Sequence, residues 1–108
     1  MIIRIVQMTF TNEGIASFKE LFEQRKSRIR HFEGCQHLEL WQDAHRPEVF
    51  FTYSHWESEE HLNNYRKSEL FGEVWPATKK LFAAPPVAFS AMQFPDALVG
   101  QTLQNAML

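Results

Sequence analysis

The chain has 108 residues, 44% of them hydrophobic, with ten Phe and three Trp. This length fits one compact domain, and the apolar content is sufficient for a core without disulfides. The net charge of −2, with both signs mixed along the chain, argues against a nucleic-acid-binding protein, which would carry a basic stripe. No apolar run reaches the roughly 20 residues of a membrane span. The start of the chain also lacks a signal-peptide pattern, so we expect a cytoplasmic protein without a membrane partner.

The first half of the chain predicts a strand, a helix and two further strands. Residues 2–10 are apolar on both alternating faces, which is typical of a strand that is covered on both sides. Asn12 is the predicted N-cap of the helix that follows, and Gly34 is its predicted stop. Apolar and polar residues alternate along Cys35–Gln42, which predicts the second strand. The third predicted strand, Val49–Trp56, is rich in aromatic residues.

The second half predicts one more helical region and a last strand. Residues 59–82 are helical in pattern, with Ser68 and Gly72 as candidate breaks and Pro76 as the site of a turn or a kink. Residues 87–94 form the predicted fourth strand. The order β-α-β-β-α-β defines an α+β, ferredoxin-like fold, in which a four-stranded antiparallel sheet carries its helices on one face.

The predicted helices can cover only one face of this sheet, although the first and third strands are apolar on both faces. The simplest way to bury the second face is a second copy, sheet against sheet, in a symmetric homodimer. A monomer with a partly polar outer face is the alternative, which His37, Glu39, Thr52 and Ser54 support. We assign residues 1–94 to the domain and expect the tail, residues 95–108, to contact the partner subunit.

Two segments of the chain resemble a known family. "FEGCQHLELWQD" and "VFFTYSHWESEEHLNNYRKSELF", with Trp56 at the strand-to-helix junction, resemble the antibiotic-biosynthesis monooxygenase-like (ABM) domain family. The resemblance implies a dimeric α/β barrel built from two ferredoxin-like protomers. It also implies one of several activities: cofactor-independent oxygenation of polycyclic aromatics and quinols, heme degradation, or isomerisation of a small signalling metabolite.

The heme-degrading members of this family use a Trp and a His ten residues apart, together with an Asn on the first strand. The matching positions here are Tyr65 and Trp75, and the first strand has Gln7 and no Asn. An indole nitrogen has no available lone pair and cannot ligate iron. The resemblance therefore does not extend to heme chemistry, and we expect no cofactor.

Two histidines and a carboxylate occupy neighbouring predicted strands. If the hairpin pairs residues whose numbers sum to 92, His37 faces His55 and Glu39 faces Tyr53. Such a group could bind a metal, but no compact ligand spacing supports a metal site. The single Cys35 follows a glycine on a strand, so we expect a small buried hydrophobe and not an activated thiolate.

Oxygenation without a cofactor requires a substrate anion that reacts with oxygen in an apolar pocket, next to a base and a polar group for the developing charge. His, Tyr and Trp suit these roles, and they equally suit a tight aromatic core. The candidate catalytic residues are His37, Tyr53, His55 and Tyr65, and the candidate pocket residues are Trp56, Phe71 and Trp75.

Two functional hypotheses follow. The first is a cofactor-independent monooxygenase that acts on a small aromatic or quinol-type molecule. The second is a non-catalytic dimeric protein, either small-molecule-binding or stress-related, on the same scaffold. A preformed cavity between sheet and helices that contains a buried histidine favours the first hypothesis, and a cavity filled by Phe and Trp side chains favours the second. The sequence does not decide which face of the sheet carries His37 and His55. The apolar Leu38 and Leu40 suit the helix-covered face, and that placement would turn His37 away from the helices.

Overall fold

The structure, a computed structural model, describes residues 1–94 of the chain. The strands are β1 (Ile2–Thr9), β2 (Cys35–Gln42), β3 (Val49–Trp56) and β4 (Val87–Ala91), and the helices are α1 (Asn12–Arg30), α2 (Glu59–Arg66) and α3 (Glu69–Lys79). All neighbouring strands are antiparallel, in the order β2-β3-β1-β4. The predicted α+β, ferredoxin-like fold is confirmed, with two helices where the pattern predicts one helical region.

Helix α1 begins one residue away from the predicted position. Thr11 is the N-cap, and its hydroxyl accepts a hydrogen bond from the Gly14 N–H at 3.0 Å, so Asn12 is the first helical residue. The helix ends at Arg30, before the predicted stop at Gly34. Gly34 instead forms the turn into β2 with a φ of +91°, and a Cβ there would collide with the His61 side chain.

The second helical region breaks at Ser68, one of its two predicted breaks. The Ser68 hydroxyl caps α3 by accepting a hydrogen bond from the Phe71 N–H at 3.2 Å. Gly72 does not break the helix, and Pro76, where the sequence predicts a turn or a kink, lies inside α3. The helix continues past the missing proline N–H to Thr78, which is buried and hydrogen-bonds back to the helix.

Strand β4 is shorter than predicted, and among residues 1–94 it pairs only with β1. Its last residue, Ala91, lies opposite Ile3. Because β1 begins at Ile2, only one residue of β1 remains beyond this pair, and residues 92–94 cannot extend the pairing with it. The predicted tail at residues 95–108 lies outside the described residues. Within residues 1–94, no helix is both long and apolar enough to cross a membrane.

The core lies between the sheet and the helices, in two clusters of buried side chains. The first contains Met8, Phe10, Phe18 and Phe50, and the second contains Cys35, Trp56 and Leu62. In the first cluster, Phe10 stacks on Phe18 with ring centroids 4.3 Å apart. The predicted burial of Cys35 is confirmed, and burial raises the pKa of its thiol, which opposes thiolate formation.

Candidate functional site

The register of the β2-β3 hairpin decides which side chains share a face. His37 lies opposite His55 and Glu39 lies opposite Tyr53, so the predicted pairing of residues whose numbers sum to 92 is confirmed. Leu38 alternates with these residues and lines the space under the helices. His37, Tyr53 and His55 therefore lie on the other face of the sheet, which no helix of residues 1–94 covers. We call it the open face.

The polar side chains of the open face form a connected cluster. Glu39 accepts hydrogen bonds from His37 Nε2 and, at 2.8 Å, from Trp41 Nε1, and these bonds lower the pKa of its carboxyl. His55 Nε2 lies 2.7 Å from the Tyr53 hydroxyl, and the His37 and His55 rings are 5.1 Å apart. Within residues 1–94, no three His, Cys, Asp or Glu side chains are arranged to hold a metal ion.

A cavity of about 340 Å³ lies on the opposite side, between the sheet and the helices. Its wall is mostly apolar and includes residues of both core clusters. The polar side chains in the wall are few: Arg4, Thr52, Ser54, Tyr65, Arg66 and Thr78. A mostly apolar cavity of this size with a few convergent polar groups is typical of a small-molecule site.

Tyr65 contributes a phenol to this cavity. Its ring stacks on Trp56, with ring centroids 4.9 Å apart. Phe71 packs against it in a T-shaped arrangement, with ring centroids 5.2 Å apart. Within residues 1–94 the Tyr65 hydroxyl makes no hydrogen bond, whereas the Trp56 Nε1 donates to the Ser54 hydroxyl at 3.0 Å. Burial raises the pKa of Tyr65, so its hydroxyl stays protonated and can donate a hydrogen bond to a ligand.

The structure thus divides the predicted catalytic residues between two faces of the sheet. Tyr65 lines the cavity together with all three predicted pocket residues, Trp56, Phe71 and Trp75. His37, Tyr53 and His55 cluster on the open face, so the sheet separates them from Tyr65. His61, which lies on the same helix as Tyr65, hydrogen-bonds Ser58 at 2.7 Å.

The cavity residues that sequence reasoning missed include two charged ones, Arg4 and Arg66. Arg4 lies on the helix-facing side of β1, in a row with the apolar Ile2, Val6 and Met8. A charge in such a row is the signal that could have identified it, because a buried charge requires a partner or a function. Arg66 gives no comparable signal, since an arginine at the end of a helix is common.

The chain belongs to the antibiotic biosynthesis monooxygenase (ABM) family, whose model matches residues 1–75. No curated protein matches the chain significantly.

Solved structures show the same fold at low sequence identity. One named as an antibiotic biosynthesis monooxygenase has a TM-score of 0.83 and 19% identity, over 88% of this chain and 100% of that one. A conserved protein from Methanosarcina mazei Go1 has a TM-score of 0.81 and 20% identity, over 87% and 94% of the two chains. A protein from Mycobacterium tuberculosis has a TM-score of 0.81 and 14% identity, over 89% and 97%.

Proposed function

We propose that this protein is a cofactor-independent monooxygenase that oxidises a small aromatic or quinol-type molecule in the cavity between sheet and helices. The observation that carries the proposal is the Tyr65 hydroxyl, which lines an aromatic cavity and has no hydrogen-bond partner within residues 1–94. Membership of the antibiotic biosynthesis monooxygenase family supports the same reaction class. A planar ring fits the chemistry of the wall, because Trp56, Phe71 and Trp75 offer aromatic faces and edges to it.

In the proposed reaction the substrate supplies the electrons. The ionised hydroxyarene transfers an electron to dioxygen, and the two radicals combine to form a carbon–oxygen bond and a peroxide anion. Protonation gives a hydroperoxide, which loses water and leaves a quinone: one oxygen atom enters the product and the other leaves as water. Tyr65 donates a hydrogen bond to the developing oxygen anion, as its raised pKa suits it to do.

We further propose that the protein acts as a homodimer, joined through the open faces of two sheets. Large apolar side chains on this face are exposed in the single chain, among them Trp41 at 40%, Val87 at 53% and Phe89 at 49%. Trp41 lies beside the His37–Glu39 and Tyr53–His55 pairs, and Val87 and Phe89 lie across β1 on the same face. Such an interface would combine apolar contact with satisfied polar groups.

The alternative is a non-catalytic dimeric protein that binds a small molecule. One observation favours it: the wall of the cavity, within residues 1–94, contains no histidine and no carboxylate that could act as a general base. The two hypotheses predict the same bound ligand and differ only in whether oxygen is consumed.

The deciding experiment supplies isotopically labelled oxygen gas with a panel of naphthols and dihydroxynaphthalenes and measures label in the product by mass spectrometry. A monooxygenase places one labelled atom in the quinone. Tyr65→Phe should lower turnover by roughly a hundredfold, because it removes the hydrogen bond to the developing anion.

The matched control is His55→Ala, which removes a candidate catalytic group from the other face of the sheet. Turnover that survives in His55→Ala and is lost in Tyr65→Phe assigns the reaction to the cavity. The reverse pattern would move the reaction to the open face. Product without labelled oxygen would reject the monooxygenase. No product across the panel would also reject it and would leave the binding protein.

A further inference from the structure

Two arginines in the wall of the cavity have no acidic partner among residues 1–94. Arg4 projects from β1 and is half-buried, and Arg66, the last residue of α2, is largely exposed at the rim. None of the ion pairs formed among residues 1–94 includes either residue. The only hydrogen bond from the Arg4 guanidinium to residues 1–94 is to the neutral Ser90 hydroxyl, at 3.1 Å.

This pair gives the mostly apolar cavity a positive charge. No aspartate or glutamate of the described residues lines the wall, so the charge of the two guanidinium groups is not offset there. Burial, and then the charge of Arg66, lower the pKa of Arg4, because both disfavour the positive charge of its guanidinium. An anion bound between the two groups would relieve both effects.

We propose that Arg4 and Arg66 bind the anionic oxygen of a planar aromatic ligand, either a phenolate or a carboxylate, whose ring lies against Trp56 and Tyr65. A guanidinium presents several N–H donors in a rigid plane and suits such an oxygen better than any other side chain in the wall.

This inference rests on the proposed function. It also explains how a substrate could be ionised although residues 1–94 place no general base in the wall. A hydroxyarene that binds next to two guanidinium groups loses its proton to solvent more easily, because a nearby positive charge within about 4–6 Å lowers an acid's pKa by roughly 1–3 units. The arginines would then hold the substrate in the ionised form that reacts with oxygen.

The experiment measures binding without turnover, in the absence of oxygen. Calorimetry compares 2-naphthoate with the neutral 2-naphthamide, which has nearly the same shape. We expect the wild-type protein to bind the acid at least tenfold more tightly. Arg4→Met and Arg66→Met should each weaken naphthoate binding by roughly tenfold and leave naphthamide binding unchanged, because only the charged contact is lost.

The matched control is Lys67→Met, which removes one positive charge beside Arg66 from a residue that does not line the cavity. It should leave both affinities unchanged. Arg66 is exposed, so Arg66→Met keeps the test valid if Arg4→Met fails to fold. Equal affinities for acid and amide in the wild type, or no binding of either at millimolar concentration, would overturn the inference.

A second probe, 4-nitrophenol, distinguishes the two kinds of anion. Its phenolate absorbs visible light, so the pKa of the bound dye can be read directly. A lower pKa in the wild type that returns toward the free value in Arg66→Met identifies phenolate binding. An effect on naphthoate alone identifies a carboxylate site, and an effect on neither probe rejects the pair as an anion site.

These outcomes separate the inference from the proposed function. Arginine-dependent anion binding without incorporation of labelled oxygen would reject the monooxygenase and retain the anion site. Oxygenation of neutral and anionic ligands alike, unaffected by Arg4→Met or Arg66→Met, would retain the monooxygenase and reject the anion site.

Discussion

At the scale of the single residue, the burial of Tyr65 determines what its hydroxyl can do. The phenol is packed against Trp56 and Phe71, and burial is the main cause of its raised pKa. A phenol that resists ionisation is a poor base at neutral pH and a good hydrogen-bond donor. The environment of the residue therefore favours stabilisation of an oxygen anion over removal of a proton from the substrate.

The raised pKa of Tyr65 predicts a loss of stability in alkali. In the unfolded chain the phenol ionises near its ordinary pKa of 10.0, whereas in the folded protein it stays neutral at that pH. The folded state then binds more protons than the unfolded state, so the free energy of unfolding falls as the pH rises above about 10. Urea unfolding of wild type and Tyr65→Phe at about pH 9 and about pH 11 measures this effect. A fall of equal size in both proteins would contradict it.

At the scale of the element, alanine substitutions at two glycines should change the free energy of unfolding in opposite directions. Gly34 has a positive φ, and a Cβ there would collide with the His61 side chain, so Gly34→Ala should lower the free energy of unfolding by roughly 1–3 kcal/mol. Gly72 lies inside α3, where a Cβ would come within 4 Å of no side chain or neighbouring element of residues 1–94, so Gly72→Ala should raise the free energy of unfolding by roughly 0.5–1 kcal/mol. Chemical denaturation of both variants checks the pair, and equal effects would contradict it.

The elements follow from the sequence where a local pattern determines them. Alternation along β2 and β3 places Leu38 under the helices and His37 outside, because a one-residue shift would bury the polar row. The Ser68 break also has a local cause, a hydroxyl that caps the next helix. The start of α1 moves by one residue because Thr11 and Asn12 both offer a capping oxygen, and only the three-dimensional arrangement selects one.

The site follows from the sequence only in part. The candidate pocket residues Trp56, Phe71 and Trp75 all line the cavity, because each lies on a segment that the fold brings to the space between sheet and helices. The meeting of Arg4 and Arg66 in one wall could not be predicted. The two residues are far apart in the chain, and their proximity depends on how α2 packs on the sheet.

At the scale of the whole molecule, the two faces of the sheet differ in what covers them. The helices bury one face, while the other leaves Trp41, Val87 and Phe89 exposed within residues 1–94. Exposed apolar groups that are rimmed by polar side chains mark an association surface. A second copy suits this surface because a two-fold axis would set each apolar row against its own equivalent.

The homodimer can be tested with one charge on the open face. Phe89→Glu should weaken association by about 3 kcal/mol or more, which is more than a hundredfold in Kd, because a carboxylate buried in the interface would have no cationic partner and no water. Ala16→Glu adds the same charge on the exposed surface of α1 and should have no effect. Sedimentation equilibrium at micromolar concentration should give twice the chain mass of 12.7 kDa for wild type and Ala16→Glu, and the single-chain mass for Phe89→Glu. A wild-type mass near 12.7 kDa would contradict the dimer.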